Sequence, residues 1–524
     1  MSMGHGSAAG GTSGGADAAS GAPGDQAGAR PRTRAHGRSD EGDRRDRIAG
    51  RLGQLIAAID ELVAEQLNEI LHHPDFQRLE ASWRGVADVV ARTSTAPRRN
   101  IMVRVLNASW RDLSRDARRA SEWDQSGLFR LMYEQEYGMP GGIPYGVMIG
   151  DFEIGLEDRT GQGLTDLDVL ETICGAAAAA YTPFICGADP RLLGLAQFAQ
   201  LERRPNLRRI MSSPAYERWH AIRAMADARF VGLTAPRVLR RSPYRGHSVA
   251  LTMRRCAGCG CLVGHADSGS CPGCHRELAA RGVRDEKHGF RFTECVDRPD
   301  GSGYLWGNAA FAFAGVLIRS FATSNWPADI RGVSRDTERG GLVIDLPVDH
   351  FGVDRDEVGA KMSTDVAIED RQERELADLG IIPLCQCHLT PLCAFYSNQS
   401  LFDAGAGVGP DVKLSTMLQY TFCVARIAHH IKLLARDRMG SVGTAEQLER
   451  ELGDWVNSYV TQDDLASPEI KARYPLREAT VRVRDTPGRP GVYQCSMQLM
   501  PHYELDEMTV GVRLVTALEG ARGA

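Results

Sequence analysis

Lysine is scarce in this chain. Of 62 basic residues only Lys287, Lys361, Lys413, Lys432 and Lys471 are lysine, and the other 57 are arginine. No lysine follows a glycine, which excludes the phosphate-cradling Walker loop. Long apolar runs are missing too: the longest, around residues 175–187, is alanine-rich and falls short of the roughly 18–20 residues that cross a bilayer. No transmembrane helix is therefore expected. The first residues are glycine, alanine and serine followed by mixed charge, with no apolar core ahead of a cleavage site, so no secretory signal is read and a cytoplasmic location is expected. Neither sign of charge dominates, since 62 Lys+Arg face 67 Asp+Glu for a net charge of −5. That balance excludes a strongly basic general nucleic-acid binder. The His-Glu-x-x-His helix of zinc proteases is absent as well.

What is present is ordinary globular composition, 43% hydrophobic and 25% charged over 524 residues, enough for about three domains. Residues 1–47 are rich in glycine and poor in large apolar side chains, and they read as a disordered tail. The tail holds Gly11-Thr12-Ser13-Gly14-Gly15, a formal nucleophile elbow without the strand and helix that such a turn requires. From Leu52 the pattern changes. Leu52, Leu55, Ile56, Ile59, Leu62, Val63, Leu67 and Ile70 recur at helical spacing, and Pro74 opens a second helix with Phe76, Leu79, Trp83, Val86 and Val90 on one face. Between 101 and 189 strands (101–106, 145–154, 183–186) alternate with helices (110–137, 167–180), which predicts an α/β region. Further helices are expected over 216–229 and, largely buried, over 305–326.

The N-terminal α/β region spans 48–379, and a C-terminal domain occupies 380–524. In the latter, residues 414–436 are apolar nearly all round and predict a central helix. The next helix opens on the capping box Thr444-x-x-Gln447 and buries Leu448, Leu452, Trp455 and Tyr459. Residues 479–483 and 492–500 flank a Pro/Gly turn and predict a hairpin, with a third alternating strand over 508–517.

Thirteen cysteines in a reducing compartment suggest metal before disulfide. Cys256-Ala-Gly-Cys259 and Cys271-Pro-Gly-Cys274 are two hooks separated by eleven residues. Two hooks supply the four thiolates that a tetrahedral zinc ion accepts, and four thiolates close the site, so the zinc is structural. Cys261, His265 and His275 are alternate ligands; a redox dithiol or unliganded thiols are the other readings. Cys385, Cys387 and Cys393 form a weaker trio that reads as buried structural thiols. Catalytic signals are otherwise few. His429-His430 reads as a packed or interfacial pair, and Asp151 and Glu153 alternate with apolar neighbours as on a solvated sheet face.

Five stretches taken in order resemble one family. They are His72-His-Pro-Asp-Phe-Gln-Arg-Leu-Glu-Ala-Ser-Trp-Arg-Gly85, Pro144-Tyr-Gly-Val-Met-Ile-Gly-Asp151, Tyr304-Leu-Trp-Gly-Asn-Ala-Ala-Phe311, Ile330-Arg-Gly332 and Pro501-His-Tyr503. Together they resemble the large subunit of the type VI secretion contractile sheath, TssC or VipB. The resemblance implies a multi-domain α/β (α+β) subunit with a C-terminal tail-sheath domain and a structural role, not an enzyme. It implies a small sheath subunit (TssB, VipA) as partner, self-association into a helical sheath around an Hcp tube on a baseplate, and a ClpV-like AAA+ ATPase acting on the contracted state. It also gives the terminal strands a purpose. Ala479, Val481, Val483, Val492, Tyr493, Met497, Leu499, Val510, Val512 and Leu514 are the expected inter-subunit strand positions, because an open strand edge can pair with a neighbour.

Two features depart from the family. Residues 249–287 interrupt the region between Pro243-Tyr244 and Phe290-Arg-Phe292, and they carry the hooks, so they read as an inserted zinc-ribbon-like knob. The tail up to 47 lacks strand character. Two rival readings remain: a zinc-dependent α/β enzyme supported by Asp151 or Glu153, and a zinc-ribbon nucleic-acid module using Arg254, Arg255, Arg276, Arg281 and Arg284, though without an aromatic platform.

Overall fold

The computed structural model describes residues 37–96, 100–137, 139, 141–161, 163–248, 254–255, 262–263, 290–296, 301–333, 338–350, 360–387, 392–405, 412, 415–438, 444–463, 465–485 and 493–502. By contacts the chain divides into a unit ending at Val63 and a unit beginning at Ala64. Helix α1 (Gly37–Leu71) supplies the described part of the first. It begins inside the segment assigned to the tail. The predicted apolar row is there, and Leu52, Leu55, Ile59 and Leu62 are all more than half exposed.

In the second unit, His73 caps helix α2 (Pro74–Thr95) by accepting from the Asp75 amide, with Pro74 in the first turn. The face that α2 buries in its own chain is not its apolar row. Ala81 and Gly85 are buried, whereas Phe76, Leu79, Trp83 and Val90 are exposed. The reason is close approach: α2 packs on helix α5 (Ala310–Ser324), and a Cβ at Gly85 would lie 2.5 Å from the Phe311 ring. Gly85→Leu should therefore cost about 1–3 kcal/mol by overpacking, while Trp83→Ala should stay within about 0.5 kcal/mol. Urea denaturation of the two variants checks this.

Six strands form the central sheet in the order β1-β2-β3-β5-β6-β4: β1 (Met148–Ile154), β2 (Phe184–Ala188), β3 (Val231–Ala235), β4 (Leu342–Val343), β5 (Ile381–Gln386) and β6 (Cys393–Phe395). The first four run parallel; β6 is antiparallel to both neighbours. Side-chain alternation divides the parallel strands between two cores. Phe184, Cys186, Val231, Leu233, Ile381 and Cys385 meet helix α4 (Asp166–Ala180) on one face. Ile185, Ile382 and Leu384 meet α5 on the other. The pairing of β5 with β3 corrects the boundary drawn at 379/380. The change of character after Leu379 is a strand buried on both faces, not a domain border.

Other elements differ locally from expectation. Residues 101–106 join no strand, and Met102 and Val105 stand exposed. The helix expected over 110–137 is present but broken: α3 (Trp110–Arg119) is followed by the turn Trp123–Gln125 and then by a continuous helical stretch over 127–137 whose middle, Arg130–Glu134, is π-helical. The helix expected over 216–229 is reduced to Glu217–Arg223. Helix α6 (Asp370–Asp378) leads into β5.

Helix α7 (Leu418–Arg438) is apolar nearly all round because it serves two cores. Leu418 and Phe422 belong to the sheet's second core, while Cys423, Ile427 and Ile431 join helix α8 (Ala445–Asn457) in a C-terminal core. At the start of α8, Thr444 accepts from the Gln447 amide at 3.3 Å, but the Gln447 side chain reaches forward to Glu451, so only half of the capping box forms. Lys432 on α7 sits 4.5–5.0 Å from the ring centres of Tyr133, Tyr137 and Tyr181. One turn away His429, 1% exposed, donates from Nε2 to the Ala180 carbonyl at 3.1 Å.

Burial lowers the His429 pKa to about 4, with the Ala180 hydrogen bond opposing it. The unfolded chain therefore takes up a proton near pH 6.5 that the folded chain refuses until about pH 4. Stability from this group is complete above about pH 6.5 and lost as pH falls, by about 2 kcal/mol at pH 5. His429→Gln should flatten that slope in urea titrations at pH 7.5 and 5.

Candidate assembly surface

The terminal hairpin pairs β7 (Leu476–Asp485) with β8 (Tyr493–Pro501). Ala479 faces Leu499, Val481 faces Met497 and Val483 faces Cys495. These inner positions turn toward α8: Val481 and Val483 are buried in the C-terminal core, with Ala479, Met497 and Leu499 partly buried against it. The alternate residues Thr480, Arg482, Gln494, Ser496 and Gln498 are exposed. Ala479, Val481, Val483, Met497 and Leu499 thus spend their side chains on their own domain. The hairpin is a sheet of two strands with no third strand paired among the described residues, although its edges are engaged at three points: Leu476 bridges to Val460, the Val483 amide donates to Glu449 at 2.7 Å, and the Leu499 carbonyl accepts from the Tyr420 hydroxyl at 3.3 Å. Val492, Val510, Val512 and Leu514 lie outside the described residues, as does the expected strand over 508–517.

The hooks Cys256, Cys259, Cys271 and Cys274, with Cys261, His265 and His275, also lie outside the described residues. The backbone that leads into and out of that segment is firmly held. Glu294, 3% exposed, accepts from Arg241 at 2.5 and 3.0 Å, from the Tyr244 amide at 3.1 Å and from His72 at 3.2 Å. Arg241 also donates to Glu80 of α2 at 2.8 Å. Burial works against the Arg241 charge, yet the bonds to Glu294 and Glu80 outweigh it and hold its pKa above the ordinary value. Beside this network, Arg245 pairs with both oxygens of Asp349 at 2.8 and 2.7 Å, and Tyr304 donates to Asp349 at 3.0 Å. No local sequence signal announces the network, since its members come from four separate segments.

The carboxyl end of the parallel sheet, where α/β proteins commonly bind ligands, is closed by ion pairs. Both oxygens of Glu153 accept from Arg237, at 2.7 and 2.6 Å. Arg159 pairs with Asp166 at 2.7 Å, and Arg191 with Asp189 at 2.9 Å. Burial raises the Asp151 pKa, and its hydrogen bond from Ser82 opposes that rise. Glu153 and Asp151 are thus engaged by their own chain. The strands also succeed one another in a single direction across β1, β2, β3 and β5, so the winding never reverses to open a crevice. Among the described residues no group of three or more His, Cys, Asp or Glu is placed to hold a metal ion.

The five stretches noted in the sequence become clamps. Asn308 donates to the Gly150 and Phe152 carbonyls of β1 and accepts from the Ala310 amide, tying α5 to the sheet. Gly332, at φ +71°, donates its amide to the Phe395 carbonyl. His502 bridges from its ring to the Thr461 carbonyl at 2.6 Å and from its amide to Pro475 at 3.0 Å, which fastens the end of the hairpin.

Two family models match the chain: the EvpB/VC_A0108 tail sheath N-terminal domain over residues 53–254 and 278–402, and the EvpB/VC_A0108 tail sheath gpW/gp25-like domain over 409–518. The type VI secretion system sheath protein TssC1 of Pseudomonas aeruginosa is 35% identical over 477 residues, covering 90% of this chain and 86% of that protein. The chain belongs to the type VI secretion tail-sheath family. It is a structural subunit of the contractile sheath. A chain in the cryo-electron microscopy structure of the anti-feeding prophage baseplate, sixfold symmetrised, is similar over 81% of this chain and 84% of its own, at 11% identity and a TM-score of 0.33, too distant to build on. In this sheath subunit the two matches meet between 402 and 409, just before α7. The N-terminal match leaves out 255–277, the stretch that holds both hooks. No helix among the described residues is long and apolar enough to cross a membrane.

Proposed function

We propose that this sheath subunit works without catalysis, by assembly. It pairs with a small sheath subunit, and the pairs stack in the cytoplasm into a helical sheath around an Hcp tube, seeded on a baseplate. Contraction exchanges one packing of the same subunits for a more favourable one and drives the tube outward. A ClpV-like AAA+ ATPase then takes the contracted sheath apart. The observation that carries the assembly mode is the two-stranded hairpin, whose inner face is committed to α8 and whose edges carry no third strand among the described residues. Among those residues the chain itself engages the edges only at Leu476, at the Val483 amide and at the Leu499 carbonyl, and the main chain between those points is where a neighbour's strand would pair. Hydrogen exchange tests this: on co-assembly, amides of β7 and β8 should slow at least tenfold, and unchanged exchange in assembled particles would remove the strand-pairing mode.

We further propose that residues 249–287 form a zinc-ribbon-like knob, with one structural zinc held by Cys256, Cys259, Cys271 and Cys274, and Cys261, His265 or His275 as substitutes. The spacing of the hooks and their position across the gap in the family match support this. The zinc would close the segment around itself and take no part in chemistry. Metal analysis of the purified chain should find about one zinc per chain, falling to near zero in the variant carrying Cys256→Ser and Cys271→Ser. Equal zinc in both proteins would sink the ribbon.

A further inference from the structure

A cleft of about 490 Å³ opens where the end of α5, the middle of α7, the turn after α8 and the short helix Pro468–Arg473 converge. It thus lies between elements of the two matched domains. Its wall is aromatic and cationic: Phe321, Trp326, Tyr459 and Tyr474 supply rings, and Arg426 and Arg473 supply charge. Among the described residues no Asp or Glu lines it.

Arg426 is half-buried, with its guanidinium 5.6 Å from the Phe321 ring and no carboxylate partner among the described residues. This sets it apart from Arg237 and Arg245, which are half-buried too and each hold both oxygens of a carboxylate. Three helices end at the cleft, and their carbonyls could have been the groups that the arginines serve. Six of those carbonyls are taken by the chain's own amides. The Asn325 amide takes Phe321, Ser458 takes Asp454 and Trp455, Tyr459 takes Val456, Val460 takes Asn457, and Tyr474 takes Ile470. The donors of Arg426 and Arg473 meet no carboxylate among the described residues.

We propose that this cleft is a docking site for an acidic segment of a partner chain. One Asp or Glu of that segment pairs with the Arg426 fork, which suits a planar carboxylate. An apolar neighbour in the segment lies on the exposed Tyr474 ring, and Arg473 at the rim supplies a second, weaker charge contact. The volume suits one or two side chains and not a folded element.

The test uses the full chain and a dye-labelled hexapeptide of alternating glutamate and leucine, read by fluorescence anisotropy beside a counterpart with glutamine in place of glutamate. The acidic peptide should bind at least tenfold more tightly than the glutamine peptide. Arg426→Gln should weaken it at least tenfold, Arg473→Gln about threefold, and Arg426→Lys by an intermediate factor, because charge survives without the fork. Equal binding of the two peptides to the unmodified chain would overturn the proposal even if Arg426→Gln failed to fold. Unchanged binding in a folded Arg426→Gln variant would overturn it as well, and so would displacement of the peptide by inorganic phosphate at equal concentration, which would mark a general anion site. None of these outcomes depends on whether the chain forms tubes.

Discussion

Replacing Glu294 by alanine should lower the stability of the second unit by about 3–5 kcal/mol, the range for breaking a buried ion pair by removing one partner. Glu294 and Arg241 are 3% and 7% exposed, so water cannot replace the lost carboxylate. Arg241 would keep only its single bond to Glu80, while His72 and the Tyr244 amide would lose their acceptor. Glu294→Gln keeps an acceptor oxygen but not the charge, and should fall between the parent and Glu294→Ala. The control is the exposed pair of Arg208 and Asp378, with side chains 65% and 61% exposed. Arg208→Ala should change stability by less than about 1 kcal/mol. Because the network joins the start of α2 to both flanks of the insert, hydrogen exchange in Glu294→Ala should rise first around residues 72–80 and 241–244. A loss under about 1 kcal/mol would show that the flanks are held by something else.

Val481→Asp should be about as damaging, at roughly 3–5 kcal/mol, because it puts a carboxyl into an apolar core with no partner. Val481 is 8% exposed, opposite Met497 and within the cluster that α8 completes with Leu448, Leu452 and Val456. One residue along the strand, Thr480 is exposed, and Thr480→Asp should stay within about 0.5 kcal/mol. The contrast tests register, since a one-residue slip would exchange the two outcomes. Urea unfolding followed by the fluorescence of Trp455, which packs against the same cluster, reads both variants.

Much of this architecture is legible in the sequence wherever a local pattern dictates it. The apolar density of residues 167–180 and 305–326 announces the two helices that cover the sheet, and the all-round apolar surface of α7 announces a helix shared by two cores. The Pro/Gly turn before β8 announces the hairpin. What escapes is whatever depends on partners distant in sequence. The outward turn of Trp83 and Leu79 on α2 is unreadable without knowing that α5 approaches close enough to demand Ala81 and Gly85. The boundary after Leu379 misled because a parallel strand buried on both faces looks like the start of a new apolar domain. Glu294, Arg241, His72 and Glu80 carry no shared motif, and neither do the rings around Lys432. Arg426 resembles any other arginine in a chain with 57 of them; only its place in space, in the wall of a cleft and without a carboxylate partner among the described residues, sets it apart.

The central claim is that this chain builds a contractile sheath with a small partner subunit. Co-expression with a small sheath subunit, followed by electron microscopy of the purified material, tests that most directly. The account predicts hollow helical tubes that contain both chains and that fail to form when Val481→Asp is introduced. A chain that stays a soluble monomer in the presence of its folded partner would contradict it.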